Sequence, residues 1–197
     1  MNAIRISVLM SLLMAFSSGC VKTPPPDLYL LNSGAPTHLP GFEQGIAIGI
    51  GPVEMAPNLD RSQIVIRESA NKLKVSENHQ WAEPLKAGVT RVLMVNLGLE
   101  LDSNRIYEIP TRQRRRLNYQ VAVDVLRFDG TLNGTVLLGA RWTVLDGDGK
   151  RVLNSQVSSI EESVAGPSYE SFVSAQSRAV VRLAGDISSA IKEQAAK

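Results

Sequence analysis

In two runs, residues 117–125 and 136–144, apolar side chains recur at every second position. Leu117, Tyr119, Val121, Val123 and Val125 alternate with Asn118, Gln120, Ala122 and Asp124, and Val136, Leu138, Ala140, Trp142 and Val144 repeat the pattern after a turn at residues 130–134. Successive side chains on a strand face opposite sides, so strict alternation specifies a sheet with one buried face. Residues 146–150 read Asp-Gly-Asp-Gly-Lys, where glycine after aspartate supplies the positive φ of a hairpin turn, and residues 151–160 are the returning strand. The Gly and Glu positions of a calcium loop are filled instead by Arg151 and Val157, so a turn is the better reading. Such a meander needs an apolar cover on its buried face.

Two segments with a helical period can supply that cover. Tyr169, Phe172, Val173, Gln176, Val180, Leu183, Ala184, Ile187 and Ile191 trace one face of a helix of about seven turns. Over residues 81–101, Leu85, Val89, Val92, Leu93 and Leu97 mark a second helix that starts at Trp81, with Pro84 in its first turn. Shorter strands are expected at residues 28–31, 46–53, 63–67, 72–76 and 105–109; the third and fourth form a hairpin. Gly49 and Gly51 signal a bulge or a close backbone approach. The expected class is α+β, a mostly antiparallel sheet with two amphipathic helices packed on one face.

Composition narrows the chemistry. Hydrophobic residues are 44% and charged residues 20% of the chain, as in an ordinary globular domain, and 21 Lys+Arg against 19 Asp+Glu argue against nucleic acid. One cysteine and two histidines, His38 and His79, leave no disulfide framework and little scope for a metal site. Hydrolase, zinc-protease and phosphate-loop spacings are missing from the sequence, so no catalytic residue, no metal ligand and no cofactor is expected. Glu161 and Glu162 point to opposite sides of a strand and are expected to be solvated. Arg112, Arg114, Arg115 and Arg116 concentrate positive charge after Pro110. They suit an anionic lipid headgroup or an acidic partner surface, the other reading being a solvated loop.

The N-terminus reads as an address. Residues 6–16 form an apolar run of eleven residues behind Arg5. That is a signal-peptide length, short of the ~20 residues a membrane-spanning helix needs. Small residues then precede Cys20 and resemble a bacterial lipobox, with Ser17 where leucine is usual. The resemblance implies a signal peptide over residues 1–19 and covalent diacylglycerol and N-acyl chains on Cys20. Residues 20–27 are the lipidated cysteine and a proline-rich tether, and residues 28–197 a single domain. Val21 in place of aspartate implies, by the same resemblance, sorting to the outer membrane, with the domain facing the periplasm.

Several blocks in order resemble the bacterial family of ABC-type transport auxiliary lipoproteins (the paraquat-inducible protein C family). They are Tyr29-Leu30-Leu31, Gly49-Ile50-Gly51-Pro52-Val53, residues 59–67 (LDRSQIVIR), residues 71–73, residues 81–85 (WAEPL), Arg91-Val92-Leu93, Asn96-Leu97, Phe128 and Ala140-Arg141-Trp142. The resemblance implies a non-enzymatic lipid-anchored component of an MCE-type intermembrane lipid transport system. Its partner would be a periplasmic MCE-domain protein anchored in the inner membrane, whose conduit it docks, with phospholipid as the cargo and a ring-like homo-oligomer as the assembly. Asp60, Arg61, Trp81 and Glu83 are the candidate partner or oligomer contacts. The alternative is an envelope assembly or integrity lipoprotein that binds a protein or glycan and moves no lipid.

Overall fold

A computed structural model describes residues 24–34, 45–110 and 115–196 of the 197-residue chain. The described elements run β1 (Asp27–Tyr29), β2 (Ile48–Met55), β3 (Gln63–Ser69), β4 (Lys72–Trp81), α1 (Leu85–Glu100), β5 (Ile106–Glu108), β6 (Tyr119–Gly130), β7 (Thr135–Asp146), β8 (Val152–Ser163) and α2 (Tyr169–Ala195). They form a five-stranded sheet of order β5-β2-β6-β7-β8 and a three-stranded sheet of order β1-β4-β3. The α+β class and the meander hold. Val121 lies opposite Val144, Val123 opposite Trp142, Val125 opposite Ala140 and Leu138 opposite Ile160. These side chains are buried under the helices, α2 over β7 and β8 and α1 over β2 and β5.

The sheet differs from the expectation in being mixed and in being split in two. β2 runs parallel to both β5 and β6, and β1 runs parallel to β4. Alternation tells which face of a strand is buried, whereas direction follows from the connection. The chain passes through the β3–β4 hairpin and α1 before it returns beside β2, and a crossover of that length delivers a parallel neighbour.

α1 begins at Leu85 instead of Trp81. Pro84 occupies its N-cap with ψ 131°, extended backbone, and Trp81 is the last residue of β4. Proline disfavours helical geometry in the residue before it, so Glu83 stays outside the helix. α2 starts where Ser168 caps it, its hydroxyl accepting from the Ser171 N–H at 3.1 Å, and carries Glu170 in its first turn and Lys192 in its last.

The two glycines of β2 are explained by what crosses them. A Cβ on Gly49 would lie 2.7 Å from Leu117 and 3.0 Å from Ile109, while Gly51, at φ 140°, has the Ile109 carbonyl where its Cβ would be. The backbone on either side is tied to β2 and its start: Ile109 N–H donates to Ile50 O at 2.9 Å and Asn118 N–H to Ala47 O at 2.7 Å. The pairing of β2 with β6 also shifts register between Ile50 and Val53, so both readings of the glycines apply, bulge and close approach.

Asp129, on β6 and 2% exposed, joins the two sheets. It accepts from Arg67 Nε at 2.8 Å and Nη2 at 2.7 Å, from β3, and from Arg127 Nε at 3.0 Å. Burial by itself would raise the Asp129 pKa, but the hydrogen bonds from Arg67 and then Arg127 outweigh it and hold the carboxyl below its ordinary range.

Candidate docking groove

Asp60, Arg61, Trp81 and Glu83 come from separate stretches of chain, and the structure brings them to one place. With Ser62, Ala82, Pro84 and Leu85 they line a groove of about 310 Å³. Two backbone bonds build it. Trp81 N–H donates to Ser62 O at 2.7 Å, drawing the β2–β3 loop against the end of β4, and Ala82 N–H donates to Tyr29 O at 2.9 Å, fixing β1 on the other side. Trp81 is 7% exposed and forms the apolar wall. Asp60 and Arg61 are exposed at the rim, and among the described residues neither side chain has an ion-pair or hydrogen-bond partner.

Glu83 behaves differently from its neighbours. Its Oε1 accepts from Arg91 Nη2 at 2.7 Å and Nε at 3.2 Å, and Arg91 Nη2 also donates to Leu31 O at 2.8 Å. It therefore fastens the segment after β1 to α1, and its carboxylate is already committed. Nothing in local periodicity marks Arg91 as its partner, because the two residues belong to a cap segment and to the exposed face of the helix.

The other candidates lie elsewhere. Cys20, Arg112 and Arg114 fall outside the described residues, as do the signal segment, residues 21–23 of the tether and His38. Arg115 lies with its guanidinium 4.2 Å from the centre of the Tyr107 ring on β5, a cation–π contact, and Arg116 is exposed. Glu161 and Glu162 do face opposite sides, but Glu162 is not solvated. It accepts from Arg178 Nε at 2.9 Å and from Arg182 Nη1 at 3.0 Å, pinning the end of β8 to α2. Burial would raise its pKa; the bonds from Arg182 and Arg178 prevail and lower it. The helix above β8 supplies both arginines, a relation that strand alternation does not reveal.

His79 stacks on Tyr169 at 3.8 Å between ring centres, and its Nδ1 lies 2.9 Å from the Tyr29 hydroxyl. It packs β1, β4 and the start of α2 together. Among the described residues no group of three His, Cys, Asp or Glu is placed to hold a metal ion, and no helix is long and apolar enough to cross a membrane. The groove presents an aromatic wall and two unpaired opposite charges, the means of recognising a surface.

Among curated proteins none matches the chain. Solved structures share its fold. The crystal structure of an uncharacterized protein superposes with a TM-score of 0.70 at 16% identity, covering 85% of this chain and 99% of the other. Protein XCC0632 from Xanthomonas campestris, of family DUF330, gives a TM-score of 0.65 at 15% identity, covering 88% of this chain and 98% of the other. Residues 29–188, from β1 into the last turns of α2, match the family described as ABC-type transport auxiliary lipoprotein component, and the chain belongs to that family.

Proposed function

We propose that this auxiliary lipoprotein is anchored in the outer membrane through acyl chains on Cys20 and docks the periplasmic end of an MCE-type lipid conduit. The partner is an MCE-domain protein held in the inner membrane, the cargo phospholipid and the assembly a ring-like homo-oligomer. The observation that carries the docking role is the convergence of Asp60, Arg61 and Trp81 on one groove with the two charges unpaired. An aromatic wall beside unpaired charges is the composition of an interface centre and its rim. Membership of a transport auxiliary family supports an accessory role beside a transporter. Within the groove Trp81 supplies apolar area, Asp60 and Arg61 select a partner of complementary charge, and Glu83 with Arg91 keeps the wall in position.

A photo-crosslinking residue placed at Arg61 in the full chain tests this in intact envelopes. An adduct with an MCE-domain protein, lost when Trp81→Ala is added, is the expected result. A crosslinker that captures only other envelope proteins, with no MCE-domain species, would refute it.

A further inference from the structure

Behind the Trp81 wall lies a second, closed pocket. Trp81 and Leu85 line both this pocket and the docking groove, and Leu59, Val65, Phe128 and the half-buried Gln63 complete its walls. Gln176 reaches it from α2. The Gln176 side chain is 1% exposed and its Nε2 donates to Phe128 O at 3.4 Å, but among the described residues its Oε1 has no hydrogen-bond partner. A buried acceptor is ordinarily satisfied by protein or by ordered water. Here the pocket has no room for a water molecule, and Gln63, the other polar side chain of the lining, does not bond Oε1. The polar residue that interrupts the apolar stripe of α2 is thus held in the core with half of its amide unpaired, an arrangement that works against the closed state.

The lining decides what completes the site. No charged side chain lines the pocket, so a charged donor entering it would be left without a counter-charge. A neutral donor on an apolar body matches both the walls and the acceptor. Tyrosine and tryptophan carry that combination and are enriched among the side chains that anchor interfaces. The way in runs through the docking groove. Leu59 directly precedes Asp60 and Arg61, so the loop that presents the two unpaired charges also closes the pocket, and its own bonds are local: Leu59 N–H donates to Ala56 O at 2.8 Å and Arg61 N–H to Leu59 O at 2.9 Å. A partner that engages Asp60 and Arg61 pulls on that loop, and the unpaired acceptor favours the state in which a donor reaches it. We propose that the docking groove has an inner half: as a partner docks, the Leu59 loop and the Trp81 ring part, and a tyrosine or tryptophan of the partner donates its O–H or N–H to Gln176 Oε1. The inference rests on the docking reading above and names the anchor that its partner brings.

The chemistry can be tested without the partner. The chain has two tryptophans, Trp81 and Trp142, so fluorotryptophan labelling of the full acylated protein gives two fluorine resonances, assigned with Trp142→Phe. The protein is titrated with N-acetyltyrosinamide and with N-acetylphenylalaninamide, the same ring without the hydroxyl. The tyrosine analogue is expected to shift the Trp81 resonance saturably and to bind at least about ten-fold more tightly than the phenylalanine analogue, since a site built around an acceptor rejects the analogue that lacks the donor. Gln176→Met, close in volume and without the amide, should keep the wild-type circular dichroism and bind the two analogues equally. Equal binding of both analogues to the wild type, no response at Trp81, or discrimination that survives in Gln176→Met overturns the inference. In intact envelopes Gln176→Met should lower the Arg61 crosslink to the MCE-domain protein about ten-fold, and an undiminished crosslink also overturns it. Wild-type protein that gives no such crosslink yet still discriminates the analogues would refute the docking partner and leave the inner site standing, which separates the two failures.

Discussion

Replacing Asp129 by asparagine keeps the shape of the side chain and removes its charge. The wild-type carboxylate accepts three hydrogen bonds from two guanidinium groups at 2.7–3.0 Å and is 2% exposed. A fully buried pair broken in this way costs about 3–5 kcal/mol. Here water shares part of the load, because the side chains of Arg67 and Arg127 are 23% and 42% exposed. Discounting for that screening leaves an expected loss of about 2–3 kcal/mol, or about 4–12 °C in Tm for a domain of this size. Urea unfolding at neutral pH measures it without the ionic strength that guanidinium would add. The pH dependence supplies the refutation. Since the folded-state pKa of Asp129 lies below its unfolded value, its contribution is present above the unfolded value, ordinarily about 3.9, and is lost as pH falls through the folded value. The gap between wild type and Asp129→Asn should therefore close only below about pH 4. A gap under about 1 kcal/mol at neutral pH, or one that persists unchanged in strong acid, would show that the two sheets are not joined by this charge.

Four further outcomes are expected. Gly51→Ala should destabilise by about 2 kcal/mol or more, since it places a Cβ against the Ile109 carbonyl at φ 140°, and a urea midpoint within error of wild type would contradict the crossing of β2. Trp142→Phe removes the indole donor to Ser158 Oγ at 2.9 Å, which itself donates to Asp186 at 2.6 Å, and should cost about 1–2 kcal/mol by thermal melting. Glu162→Gln should cost about 1 kcal/mol, the arginines being half exposed, and should speed hydrogen exchange at the end of β8 while leaving β6 unchanged. Cys20→Ser should leave uncleaved, unacylated protein in cells fed a labelled fatty acid; normal acyl labelling of that variant would remove the lipid anchor from the argument.

The parts of the fold readable from sequence were those governed by a local period. Residues 121–144 and 172–191 show their buried faces directly, because every second residue of a strand, or every third and fourth of a helix, meets the same surroundings. Strand direction was hidden, since β2 has the same pattern whether β6 runs with it or against it. Trp81 misled for a definite reason: it stands four residues before Leu85 and so mimics the helical stripe, yet Pro84 ends the extended segment between them. Asp60, Arg61, Trp81 and Glu83 could be named together only through the family resemblance, and their meeting in one groove depends on hydrogen bonds to the Ser62 and Tyr29 carbonyls that no spacing encodes. Glu162 was misread because its partners lie on α2, sixteen and twenty residues further along the chain.

Tyr29 and Trp81 are register partners, and a single backbone hydrogen bond connects Tyr29 to Ala82. Tension applied through the residues before Asp27 therefore arrives at the Trp81 wall after crossing a strand of three residues. On the anchoring and docking roles proposed above, load on the tether and occupancy of the groove would act on the same few bonds, those that join Tyr29 to Trp81 and Ala82.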